Sequence, residues 1–182
     1  TSSKIGILRV TDSDHRISQL PLTTADIFSV KLMYKNDVMY AFTNNGQIFR
    51  YDEIYDRFNF ITDIRPIVGN NNLLIVQMIV DNSEGLWLAT TTGFYLYREG
   101  NVTDIDVGDK MVLAIGELDD DHLFAVTEDG IYLLDQRTHE RQVLYLYPQG
   151  ARYNVTKAYY DTDYGNLWIG TRENGLFIYN IN

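Results

Sequence analysis

The chain contains no cysteine. That excludes a disulfide framework, a thiolate-ligated zinc site and thiol chemistry together, and it is compatible with cytoplasm or periplasm alike. Positive charge is scarce: 15 Lys and Arg stand against 25 Asp and Glu, for a net charge of −10. Sequence-independent nucleic-acid binding needs clustered cations, so that partner class is excluded, and an anionic membrane surface is disfavoured. No run approaches 18 consecutive apolar residues, so this segment has no direct means of inserting into a membrane as a helix. Sustained 3.6-residue periodicity with end caps is missing too, and helix is expected to be negligible. Proline is rare, at positions 21, 66 and 148 only.

Aromatic residues are abundant, with 14 Tyr and 8 Phe, and 45% of the chain is apolar. That content suits half-buried strands around a sizeable core. Four segments share one pattern: YAFTNNGQIF from Tyr40, WLATTTGFY from Trp87, FAVTEDGIY from Phe124 and WIGTRENGLF from Trp168. Each has an aromatic, Thr three residues later, a short polar turn, Gly and another aromatic. The glycines at 46, 93, 130 and 175 lie 47, 37 and 45 residues apart. A period of about 40–50 residues marks a repeat architecture.

Each unit reads as four short strands joined by turns. In the second, LLIVQMIVD, LWLAT, FYLYR and VTDIDV follow one another across Asn, Gly and Asp clusters. The third runs MVLAIGE, HLFAVT, IYLLD and RQVLYLY; the last runs VTKAYYD, LWIGT and LFIYN. The first is looser, with FSVKLMY from Phe28, VMYAFT, IFRYDE and DRFNFIT. The dipeptides Asn45-Gly46, Asp129-Gly130 and Asn174-Gly175 are expected to supply positive φ at tight turns. A partial copy opens the chain: GILRVTDSDHRISQL from Gly6 aligns with GIYLLDQRTHERQVL from Gly130. The units are therefore about 1–22 (partial), 27–62, 73–107, 111–147 and 155–182 (lacking its last strand), within one segment, 1–182. The prolines fall where fourth strands end and the chain crosses onward, positions that tolerate a missing N–H.

The fold class expected is all-β: a β-propeller segment of four-stranded antiparallel blades, about four blades plus two opening strands. Because both termini supply the same strand type, the segment is read as an arc of a larger propeller, with a small closed ring as the alternative. An arc without caps exposes blade faces, so self-association into a homo-oligomer is expected.

The stretch Val155–Asn180, with Leu167-Trp168-Ile169-Gly170-Thr171 at its centre, resembles the two-component-regulator propeller repeat. The unit at Ile75–Gly100 is similar, with Leu86-Trp87-Leu88-Ala89-Thr90 in the same place. The units around Thr43 and Thr127 depart from it, having Tyr40 and Phe124 where the repeat has Trp. The resemblance implies an extracytoplasmic, periplasmic sensor region of an inner-membrane hybrid two-component protein. Such proteins join propellers, a β-sandwich, a membrane helix, a histidine kinase and a response regulator, sense carbohydrate fragments and thereby regulate transcription. The expected partners are an oligosaccharide or other small polar ligand, and the rest of the propeller and sensor chain. The segment holds no kinase motif, so no enzyme activity is expected of it, although its parent would carry a kinase.

Individual residues were weighed for chemistry. Trp87 and Trp168 sit on inner strands and are expected to pack between blades rather than stack on sugars. Thr43, Thr90, Thr127 and Thr171 lack a recurring base beside them, so their hydroxyls are expected to bond the turns. The run 161–166 faintly resembles a calcium loop without its later acidic ligands, and 119–121 is a solvated acidic turn, so no metal and no cofactor are expected. Asp104, Asp106 and Asp109 are expected on an outer edge strand, where charge opposes edge pairing. His15, His122 and His139 occupy turn-like contexts; a histidine-based lyase or glycosidase site and a protein–protein scaffold are the alternative functions. No catalytic residue is assigned. Recognition is expected in the variable turns and crossings, with Arg152, Tyr153, Arg172 and Glu173 as the candidate ligand-binding cluster.

Overall fold

A computed structural model describes residues 6–23, 29–108 and 111–182. Phe28 and Asp109, which figure in the expectations above, lie outside the described residues. The protein is all-β, built from propeller blades in which each strand pairs antiparallel with the next along the chain. It divides into two compact units, Thr1–Leu74 and Ile75–Asn182.

The first unit opens with the hairpin β1 (Gly6–Val10) and β2 (His15–Gln19), followed by a blade of β3 (Val30–Lys35), β4 (Val38–Thr43), β5 (Gln47–Asp52) and β6 (Arg57–Asp63). Its core packs Leu20 against Ala41, Phe49 and Phe58. Asp56, at the turn before β6, clasps the hairpin: it accepts from Tyr51 Oη and from Arg16 Nη1 at 2.8 Å. Both bonds hold the Asp56 carboxyl below the usual carboxylate range, Tyr51 first and Arg16 second. A five-residue helix, α1 (Ile64–Val68), interrupts the expected all-strand reading. Asp63 caps it by accepting from the Arg65 N–H, and Gly69 ends it at φ 74°, so local capping wins where no apolar period exists.

The second unit holds three sheets. The first comprises β7 (Ile75–Val80), β8 (Leu86–Thr90), β9 (Phe94–Arg98) and β10 (Asn101–Asp104). The next is β11 (Val112–Glu117), β12 (His122–Thr127), β13 (Gly130–Asp135) and β14 (Arg141–Leu146), and the last is β15 (Val155–Asp161), β16 (Asn166–Thr171) and β17 (Leu176–Asn180). The last sheet has three strands. Between the second and third of these sheets lies a core of Ala114, Phe124, Val126, Ile131, Leu167 and Ile169. The first strand of each of these sheets carries a bulge at its second residue: Val76, Leu113 and Thr156 are skipped in the ladders to β8, β12 and β16. Bulges bend and twist a strand. Past the first of them, Gln77 reaches β11, its Nε2 donating to the Ile115 carbonyl at 2.9 Å while its Oε1 accepts the Ile115 N–H at 3.1 Å.

The turn after β7 is organised by Asp81, which is 2% exposed. Its carboxylate accepts the N–H groups of Ser83 and Gly85, both at 2.8 Å, the Trp87 indole N–H at 2.9 Å and Arg98 Nη2 at 2.5 Å. Trp87 is fully buried, and the His139 ring meets it edge-on at 5.6 Å. Trp168 differs: it is half-buried, paired across the ladders with Tyr159 and Ile178, both exposed.

The positive φ expected of the turn glycines holds for Gly46 at 101° and Gly175 at 76°. It fails for Gly130, which has no positive φ. There glycine is needed for another reason: a Cβ would run into the Tyr145 carbonyl oxygen on β14. The demand is close strand approach, not backbone hand. The acidic cluster is also arranged differently from a plain edge strand. β10 stops at Asp104, Ile105 and Val107 turn into the core, and Asp106 accepts from the Gly108 N–H at 2.7 Å.

Because Asp81 is buried with charged and neutral donors, Asp81→Ala leaves several unpaired at once. Equilibrium urea unfolding followed by tryptophan fluorescence is expected to show a loss of about 3 kcal/mol, with Asp81→Asn losing less than half as much.

Candidate functional site

The recurring threonines close the turns between second and third strands. Thr90 Oγ1 donates to the Gly93 carbonyl at 2.7 Å and accepts the Gly93 N–H at 3.0 Å. Thr127 Oγ1 accepts the Gly130 N–H at 3.2 Å and donates to Asp129 Oδ1 at 2.7 Å, with the Gly130 carbonyl farther off at 3.2 Å. Thr171 donates to the Gly175 carbonyl at 2.8 Å and accepts the Asn174 N–H at 3.0 Å. Thr43 donates to the Asn45 side chain at 2.6 Å and accepts the Gln47 N–H at 3.0 Å. All four hydroxyls are committed to structure, as expected. What varies is the set of side chains held on the turn tips.

The histidines have turn roles in the second unit. His122 Nδ1 sits 2.9 Å from Asp119 Oδ1 within one turn, and His139 packs on Trp87. Asp161 spends its carboxylate on the Asp163 N–H at 3.1 Å. Among the described residues, no three His, Asp or Glu converge as a metal shell would.

Of the candidate cluster, Arg152, Arg172 and Glu173 are exposed and Tyr153 is half-buried. The Arg172 N–H donates to the Asn154 carbonyl at 2.9 Å, so the crossing after β14 and the turn after β16 lie side by side. That bond brings the segments bearing Arg152 and Tyr153 alongside the turn bearing Arg172 and Glu173. The Tyr153 ring, however, faces inward. It meets Tyr147 edge-on at 4.8 Å (89°) and Phe177 at 4.7 Å (58°). Tyr147 contacts Tyr145 at 6.1 Å, and Tyr145 contacts Tyr179 at 5.6 Å. Phe177 and Tyr179 stand two apart on β17, so the two ends of this run of five rings share one face of that strand. The run borders a cavity of about 300 Å³, lined as well by Ile131, Pro148, Ile169 and Ile178. Tyr179 Oη donates to the Leu144 carbonyl at 2.8 Å, fixing β17 against β14. Burial, with Tyr153, Asp129 and Tyr145 nearby, pushes the Tyr147 phenol up to about 12.

Tyr145, Tyr147, Phe177 and Tyr179 were not singled out in the sequence. The spacing of Tyr145, Tyr147 and Phe177, Tyr179 is ordinary strand alternation, and nothing in it says that two strands from different blades face each other. Two larger crevices are more open in chemistry. One of about 600 Å³ in the first unit mixes Arg9, Asp37, Arg50 and Glu53 with Leu8 and Leu32. Another, of about 690 Å³, runs past Thr91, Thr92, Asp104 and Glu128.

No family model and no curated protein matches the chain. Solved structures match it along nearly all its length. It is similar to the extracellular domain assigned to the hybrid two-component system BT3049 of B. thetaiotaomicron, with a TM-score of 0.66 and 17% identity, covering 97% of this chain and 26% of that one. The corresponding domain of BT4673, assigned to a one-component system of the same organism, gives 0.65 and 17%, covering 96% and 24%. The β-propeller domain of Cps50 (Swd1) from Myceliophteria thermophila gives 0.65 at 11% identity, covering 100% and 65%. These likenesses carry the propeller fold. The chain spans about a quarter of the length of the two sensor ectodomains.

The Tyr147 phenol binds its proton more tightly in the native state than in the unfolded chain, whose value is near 10.0. Stability from this group is therefore full below about pH 10 and is lost as pH rises through about 12. In thermal unfolding across that window, Tyr147→Phe is expected to flatten part of the decline. The remainder belongs to Tyr34, Tyr51 and Tyr132, whose phenols are also raised, mainly by Asp37, by Asp56 and by burial respectively.

Proposed function

We propose that this chain is a ligand-sensing propeller of the extracytoplasmic, periplasmic part of a hybrid two-component protein. It responds to carbohydrate fragments and biases an attached histidine kinase. The observation that carries the reading is the end-to-end likeness to ectodomains of such systems, joined to the Leu-Trp-Ile-Gly-Thr form of the repeat at 167–171. The structural neighbours among sensors favour a binding role over an enzymatic one. No helix among the described residues is long and apolar enough to cross a membrane, which fits an extracytoplasmic domain.

In this reading the polar turn tips recognise hydroxyl-rich ligands. Arg152, Arg172 and Glu173 supply charge-assisted hydrogen bonds, and Tyr153 anchors the crossing that carries Arg152. Signalling requires only that the ligand favour one arrangement of the sensor over another. The exposed apolar side chains Leu176 and Ile178 support self-association of the chain.

Calorimetric titration of the complete ectodomain with neutral oligosaccharides is expected to find a binding fragment. Affinity should fall about tenfold in Arg152→Ala and in Arg172→Ala. No binding across a broad oligosaccharide panel would overturn the sugar reading. For the 182-residue chain, sedimentation velocity is expected to show dimers or larger species, and a stable monomer would overturn self-association.

A further inference from the structure

The five-ring cavity between β13–β14 and β16–β17 has a chemistry that hydroxyl recognition does not explain. Its lining side chains are Tyr, Phe, Ile and Pro only. The sole polar side-chain atoms among them are the four phenol oxygens, and one of these, on Tyr179, is already committed to the Leu144 carbonyl. A sugar needs several convergent donors and acceptors, and a free carboxylate or phosphate needs a cation; neither need is met here. The surface instead offers aromatic faces, whose quadrupoles attract a cation that requires no hydrogen bond. The net charge of −10 adds a long-range pull of the same sign. No Lys, Arg or His lines the cavity to oppose it.

We propose that Tyr145, Tyr147, Tyr153, Phe177 and Tyr179 form an aromatic cage for a quaternary or fully methylated ammonium group. The rings meet edge-to-face or tilted and do not stack: successive centroids lie 4.7–6.1 Å apart, with planes crossed at 41–89°. Tyr179 is pinned by its bond to β14, and Tyr153 is pinned by two ring contacts, so both walls are preorganised. Ile131 and Ile169, both nearly fully buried, form an apolar floor that suits methyl groups. A primary ammonium fits poorly, because its N–H donors would be stripped of water with few acceptors to replace it. This inference goes beyond sugar sensing and does not depend on it.

The probes are tetramethylammonium, choline and the neutral choline isostere 3,3-dimethylbutan-1-ol, titrated into the 182-residue chain at pH 7 and read by tyrosine ring-proton shifts in NMR. Both cations are expected to bind and to shift the aromatic signals. Choline should bind about threefold more tightly than the isostere, as expected for cation–π attraction at partly exposed rings. Tyr153→Phe should retain binding, while Tyr153→Leu should lose about tenfold or more. If Tyr153→Leu fails to fold, Phe177→Leu serves as the equivalent test. Equal affinity for choline and the isostere, an unchanged affinity in the leucine variant, or no ring shifts with either cation would each overturn the proposal. Neutral oligosaccharide binding is read separately, so either result leaves the sugar reading to stand or fall by its own titration.

Discussion

One side-chain bond sets the geometry on which each blade depends: a threonine hydroxyl that closes the turn between second and third strands from both directions. In the Thr90 turn the same oxygen donates to the glycine carbonyl and accepts the glycine N–H, and in the Thr127 turn it accepts the glycine N–H while donating to the Asp129 side chain. A single buried group thus satisfies two backbone atoms that a tight turn would otherwise leave unpaired. Once the turn is fixed, the register of both flanking strands follows. That places Trp87 opposite Leu96 and Phe124 opposite Leu133. Each such bond contributes only about 1 kcal/mol net, so its importance lies in register and not in summed stability.

Blades also need joining. Within the second unit the joints are chemically unlike one another, although the blades are alike. Gln77 bonds both backbone groups of Ile115, whereas Tyr179 reaches the Leu144 carbonyl with its phenol. The bulges at Val76, Leu113 and Thr156 lie near the same level of their blades, where they re-aim the residues that follow. Packing between adjacent sheets then leaves the cavity bounded by Tyr145, Tyr147, Tyr153, Phe177 and Tyr179. The crossing at 147–154 is held by the Tyr147 N–H to the Asp129 carbonyl and the Arg172 N–H to the Asn154 carbonyl, each at 2.9 Å. Conserving the turn while varying the joint gives a repeat protein a constant frame and a changeable surface.

Much of the frame was legible because it is local. Thr to Gly spacing, Asn-Gly turns and runs of β-formers act within one hairpin, and the structure has the hairpins where those signals stand. The departures are equally instructive. Gly130 was read as a positive-φ residue from its Asp-Gly dipeptide, yet its constraint comes from Tyr145, fifteen residues away on the next strand. Trp87 and Trp168 occupy the same place in the repeat. One is fully buried under Asp81, Arg98 and His139, while the other is half-buried in a three-stranded sheet. Similar local sequence therefore met different neighbours. Tyr153 belongs to the candidate ligand-binding cluster, and nothing in its local sequence says that its ring packs against Tyr147 and Phe177.

The sequence by itself determined the blade: its strands, their turns and the repeat interval. These follow from backbone chirality, turn chemistry and period-2 alternation, all of which act over a few residues. Tertiary structure alone decided which aromatics face one another across blades, which glycine is crowded by a distant carbonyl and where a cavity opens. Those outcomes depend on contacts between segments tens of residues apart, and a strand's alternation carries no record of what its outer face will meet.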